Sequence, residues 1–162
     1  MMNSKLMPSL VAILAVAGIF GYANLSNEPA GTNNTQIIQE LTFETISKQA
    51  YSGHEMKADY VIRDAEDWQD LWSITNSQII PEPGMPNVDF NNEMIIAAFQ
   101  GEHSTGGYSI EILKIIEKEN SVEVFIRETT PEPGAILTQA FTQPYHIIKT
   151  KRVNKEVEFK KA

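Results

Sequence analysis

His103 and Ser104 stand side by side in a glycine-rich stretch, Gly101-Glu102-His103-Ser104-Thr105-Gly106-Gly107-Tyr108, and are the first residues to weigh as a base and nucleophile. Neighbours in an extended chain point to opposite sides, so adjacency alone does not make them such a pair. His54 and His146 lie in separate segments, without the close helical spacing that presents two imidazoles to one metal ion. A site assembled in space from His103, His146 and a carboxylate stays open. Acidic neighbours such as Glu66-Asp67 and Glu117 with Glu119 are what an acidic chain puts on solvated faces, and no pair separates into general acid and general base. Cysteine is absent, which removes thiol nucleophiles, thiolate zinc sites, disulfide scaffolds and a lipid-bearing N-terminal cysteine. The residues point to binding rather than catalysis, and no cofactor, metal or small-molecule ligand is expected.

The glycine stretch is the best binding candidate. Gly106 and Gly107 carry no side chains, so their amides are open to a partner's backbone or carboxylate, with the Ser104 and Thr105 hydroxyls beside them. The same glycines also suit a plain hairpin connection that needs positive φ and starts a strand at Tyr108. Phosphate binding does not fit, because a strand pattern follows instead of a helix and Glu102 adds negative charge. A second candidate is Thr142-Gln143-Pro144-Tyr145-His146, where Pro144 restricts Gln143 and sends Tyr145 and His146 to opposite sides of a strand. Tyr145 is read as a packing residue with its hydroxyl at the rim. The expected partner-binding set is Ser104, Thr105, Gly106, Gly107, Tyr108, Pro144 and Tyr145.

The elements that hold these loops follow from periodicity. Period-two alternation marks Leu41 to Ile46 and Ala58 to Ile62 as strands, and Tyr51-Ser52-Gly53-His54 reads as the turn of a hairpin between them. Asp64 caps a helix over residues 65–76 in which Trp68, Leu71 and Trp72 form one apolar face. Pro81, Pro83 and Pro86 force an extended connection after it. Glu93 to Gln100 is apolar on both faces in its middle, as in a central strand covered on each side, and the Trp68 and Trp72 face is the expected cover. Tyr108 to Ile116 and Val122 to Ile126 alternate, and with the central strand they read as an antiparallel meander. Tyr145 to Lys149 and Val157 to Phe159 complete about seven antiparallel strands. The fold class is mainly β (α+β), as a small sandwich or a curled sheet covered by one helix. Pro-Glu-Pro-Gly occurs at both Pro81 and Pro131, but the flanking residues do not hold one offset, so these are two similar stiff loops and not a duplication.

Lys5, an apolar run from Leu10 to Phe20 and Gly21-Tyr22-Ala23 read as an export signal over residues 1–23, cleaved after Ala23 or retained as an anchor through residues 6–22. Residues 24–40 read as a flexible linker and 41–162 as a single domain. Either outcome places the domain outside the cytoplasm. The net charge of −8 at neutral pH argues against nucleic acid. Lys149, Lys151, Arg152, Lys155, Lys160 and Lys161 gather near the C-terminus, where they protect a sheet edge or face an acidic partner.

Taken together, Asp67-Trp68, Leu71-Trp72, Pro86 through Asp89-Phe90, Gly101, Thr105-Gly106-Gly107-Tyr108, Pro131 to Gly134 and Thr142 to Ile148 resemble the C-terminal domain of the protease complex subunit PrcB family over about residues 42–160. That resemblance implies an exported, non-enzymatic accessory protein that associates with a subtilisin-like protease and supports its maturation or stability. The loops Thr105 to Tyr108 and Pro144-Tyr145 also resemble those of chagasin-like peptidase inhibitors, which implies, as the alternative, direct entry into a protease cleft.

Overall fold

The computed structural model describes residues 37–162; the expected export segment, and the linker as far as residue 36, lie outside the described residues. The chain runs through β1 (Ile37–Leu41), β2 (Phe43–Gln49), β3 (Ala58–Ile62), α1 (Ala65–Asn76), β4 (Glu93–Phe99), β5 (Ser109–Lys118), β6 (Ser121–Thr129), β7 (Tyr145–Lys151) and β8 (Glu156–Lys161). One sheet has the order β1-β5-β6-β8 and the other β2-β7-β4-β3. The fold is mainly β, a two-sheet sandwich with the helix on one outer face.

The central strand explains this layering. Met94, Ile96 and Ala98 of β4 join the core between the sheets, with Ile112, Ile115, Val122 and Val124. Ile95, Ala97 and Phe99, the alternate residues, join a second core beneath α1 with Trp68, Leu71 and Trp72. A strand buried on both faces needs the unbroken apolar run that the sequence shows. Asp64 caps α1 by accepting the Asp67 amide at 3.0 Å. The proline-rich connection is held across the helix by the tryptophans, whose Nε1 groups donate to the Pro86 carbonyl at 3.1 Å and the Pro83 carbonyl at 3.0 Å.

Three expectations about pairing are corrected. β2 and β3 do not form a hairpin: β2 pairs with β7 and β3 with β4, all antiparallel. Gly53 is not a turn glycine but a point of close approach. Its amide donates to the Thr75 carbonyl at 2.9 Å, and a Cβ there would stand 2.4 Å from the Ile74 carbonyl oxygen. The segment it belongs to packs on the end of α1 and carries the chain between two edges of one sheet.

The expected meander is also divided. β5 and β6 form an antiparallel hairpin, but β4 belongs to the other sheet, because the 101–108 loop is long enough to cross between layers. Finally, there are eight strands, not all antiparallel, since β8 runs parallel to β6. The extra strand arises because one extended run bends at Thr42 and serves both sheets. It begins at Ile37, inside the stretch read as linker, with β1 on β5 and β2 on β7. The bend is fixed by the Thr150 hydroxyl, which donates to the Thr42 carbonyl at 2.8 Å.

Candidate functional site

The two candidate loops lie side by side. His103 and Thr142 exchange both backbone hydrogen bonds, His103 N–H to Thr142 O at 2.8 Å and Thr142 N–H to His103 O at 2.9 Å. The Thr142 hydroxyl donates to the Thr105 carbonyl at 2.9 Å, and Gln143 Nε2 donates to the Glu102 carboxylate at 2.8 Å. Further back, the Gln100 amide donates to the Pro144 carbonyl at 2.9 Å. Both loops leave the ends of strands in the helix-covered sheet, so a stiff base positions them.

The glycine pair is partly committed to the fold. The Gly106 amide, expected to be free, donates to the Thr138 carbonyl at 2.9 Å. Gly107 has φ of 90°, which an L side chain rarely adopts, and a Cβ there would stand 3.0 Å from the Leu137 side chain and 3.1 Å from that of Pro131. Gly107 thus lets Pro131 and Leu137 lie close over it. Ser104 and Gly107 are exposed, Thr105, Gly106 and Tyr108 are half-buried, and Pro144 and Tyr145 are buried. The Tyr108 ring stacks on His103 with centroids 3.7 Å apart. Tyr145 stacks on Phe99 and its hydroxyl meets the Ser47 hydroxyl at 2.7 Å, as a packing residue with a polar tip should.

The covering segment supplies residues that sequence reasoning missed. Ile136 is fully exposed at 103% and Phe141 is 63% exposed. Their signal was available: apolar residues in a stretch bounded by Pro-Glu-Pro-Gly and Gln-Pro, with neither strand nor helix period to bury them. The 101–108 loop therefore supports a neighbouring loop that presents apolar side chains.

His54 and His146 are occupied by structure. The Nδ1 of His54 donates to the Met56 carbonyl at 2.8 Å, leaving Nε2 to accept from the Tyr60 hydroxyl at 2.7 Å. The Nδ1 of His146 accepts the Ile112 amide at 2.9 Å, so the ring carries its proton on Nε2 and donates to the Thr45 hydroxyl at 2.9 Å. That arrangement ties β7 to β5 across the sandwich, and burial lowers the His146 pKa to about 4. Burial also holds His103 below its ordinary value, against the opposing pull of Glu128. Its Nε2 is buried without a partner among the described residues. No group of three or more His, Asp or Glu side chains among the described residues is arranged to hold a metal ion.

Comparison with known families locates this arrangement. Residues 94–151 match the PrcB C-terminal family. The PrcB C-terminal match begins in β4 and ends in β7, so it takes in the glycine loop, the exposed 131–141 segment and the Gln-Pro-Tyr turn together with the strands that carry them. No curated protein and no solved structure matches the chain.

Proposed function

We propose that this chain is a non-catalytic accessory protein of an extracytoplasmic protease complex, and that it holds its partner through the paired loops at one end of the sandwich. The PrcB C-terminal match points to an accessory role in a protease complex. The observation that carries the reading is the locked pair of loops with Ile136 and Phe141 standing out from it. Exposed apolar side chains on a segment hydrogen-bonded at Thr138 and Thr142 to the 101–108 loop lose less conformational freedom on binding than they would on an unattached loop, which favours recognition. In this reading Ser104, Thr105, Gly107 and Tyr108 flank the contact, while Gly106, Pro144 and Tyr145 support it from beneath. The partner is a subtilisin-like protease at the cell surface or in the secreted fraction. The export signal delivers the chain there, and residues 6–22 tether it to the membrane where the signal is retained.

The test is co-purification of the tagged full chain from the producing cell's envelope, beside an Ile136→Ser, Phe141→Ser double variant. Native protein is expected to recover a partner with protease activity, and the folded variant to lose it. Equal recovery by both would remove the loops from the contact, and recovery of no protease would remove the accessory role.

The side-by-side placement of the two loops also supports the chagasin-like alternative, with Tyr108 as the aromatic residue entering a protease cleft because Tyr145 is committed to the core. Direct inhibition requires stoichiometric loss of activity when the chain is titrated into a cysteine or subtilisin-like protease. Unchanged activity at micromolar concentrations retires it.

A further inference from the structure

Strand β3 lies at the edge of its sheet, bonded only to β4. Half of an edge strand's amides and carbonyls face outward, and among the described residues no side chain or loop backbone bonds to those of Ala58–Ile62. Two clefts flank this one edge. On the helix side, a cleft of about 320 Å3 is lined by Tyr60, Ile62, Leu71 and Ile74, with Asp67 and Asp70 at its margin. On the opposite side, a cleft of about 200 Å3 lies toward β6 and β8, with an apolar wall of Ile126 and Phe159 among the charged side chains of Lys57, Asp59, Glu128, Lys160 and Lys161.

A strand added to β3 would point alternate side chains into these two clefts, because successive residues face opposite sides of a sheet. Free backbone groups and a pocket on each face are what recognition by strand addition needs. Asp67 and Asp70 on one face and Asp59 on the other make no ion pair among the described residues. The walls around Asp59 push its carboxyl above the ordinary carboxylate range. A charge placed within an edge strand discourages pairing with an arbitrary apolar strand.

We infer that β3 is a docking strand for an extended segment of a partner protein, which adds to the sheet with cationic side chains toward α1 and apolar side chains toward β6 and β8. A lysine on the helix-facing side lays its aliphatic stem along Leu71 and Ile74 and brings its ammonium to Asp67 and Asp70. On the other side a valine-sized group meets Ile126 and Phe159. The surface uses residues different from those of the paired loops, so it gives the protein a second contact.

The test titrates isotope-labelled full chain with a blocked octapeptide of alternating lysine and valine, followed by amide chemical shifts. Saturable shifts centred on Ala58–Ile62 and on Asp67, Asp70 and Ile74 are expected. Methylating the peptide nitrogens that face β3 should weaken binding by about tenfold or more, since it removes the ladder bonds. Replacing the lysines by glutamates, or making the Asp67→Asn, Asp70→Asn double variant, should each weaken it by about tenfold, the second with loss of most of the salt dependence. The Ile136→Ser, Phe141→Ser variant should bind the peptide as the native chain does, which separates this contact from the loop surface. Equal affinity for the N-methylated peptide, shifts centred elsewhere, or no saturation up to about 1 mM would overturn the proposal. So would sedimentation showing that β3 pairs with a second copy of the chain and that the peptide does not compete.

Discussion

His146 joins the two layers through a neutral ring, and that fixes the sign of a pH effect. Its Nδ1 accepts the Ile112 amide, so a proton added there displaces a hydrogen bond and places charge inside the sandwich, where the residue is 3% exposed. Lys48 adds to the depression and Glu111 opposes it, while burial dominates. The folded pKa of about 4 lies below the ordinary 6.5, so between those values the unfolded chain binds the proton more readily. Stability from this group is fully present above about pH 6.5 and is lost as pH falls toward 4, by ~3 kcal/mol. His103, also lowered, acts in the same sense. His146→Gln should cost about 2 kcal/mol at neutral pH, because it disrupts one buried and one part-buried hydrogen bond, and should flatten the dependence of denaturation midpoint on pH between 4 and 6.5. An unchanged slope in the variant would show that other groups set the acid sensitivity.

At the scale of elements, α1 and its cover provide two further tests. Asp64→Ala removes the side-chain acceptor of the Asp67 amide and should cost about 1 kcal/mol, whereas Asp64→Asn should be nearly neutral; urea unfolding followed by tryptophan fluorescence measures both. Gly53→Ala is a stronger perturbation. Its Cβ would meet the Ser77 hydroxyl at 1.9 Å and the Ile74 carbonyl at 2.4 Å. The hydroxyl can rotate away but the carbonyl belongs to the helix backbone. A loss of ~2 kcal/mol or more is expected, and adding Ser77→Ala should recover only part of it. Full recovery would mean that the carbonyl contact is not the obstacle.

The helix and its cap were legible because their signals are local, an Asp followed by a helical apolar stripe. The doubly buried β4 was legible from its unbroken apolar run. Apart from the β5–β6 hairpin, pairing partners were not, since alternation shows that a segment is a strand without showing which edge it meets. Gly53 looks like turn chemistry in sequence and becomes a helix contact only when residues 51–57 fold against α1. Gly106 and Gly107 were found, but the role of Gly106 depends on Thr138, whose position no local pattern reveals.

Across the described residues the molecule should unfold as one unit because its two cores share strands. Along β4, Met94, Ile96 and Ala98 serve the core between the sheets while Ile95, Ala97 and Phe99 serve the core under α1. β7 divides in the same way, with Ile148 on one side and Tyr145 and Ile147 on the other. Lifting α1 away would uncover one face of β4 and β7 and would weaken the strands on which the other core is built. The bent β1–β2 run adds a covalent link between sheets, and His146 adds a hydrogen-bonded one. Trp68 and Trp72 report the helix-side core, whereas far-ultraviolet circular dichroism reports mainly the strands. The two signals should therefore give coincident urea transitions with a common midpoint and slope, as expected for a cooperative domain. A tryptophan transition completed before the dichroism changes would show that the helix layer separates from an intact sandwich, and the sharing of β4 and β7 would then not be what couples the layers.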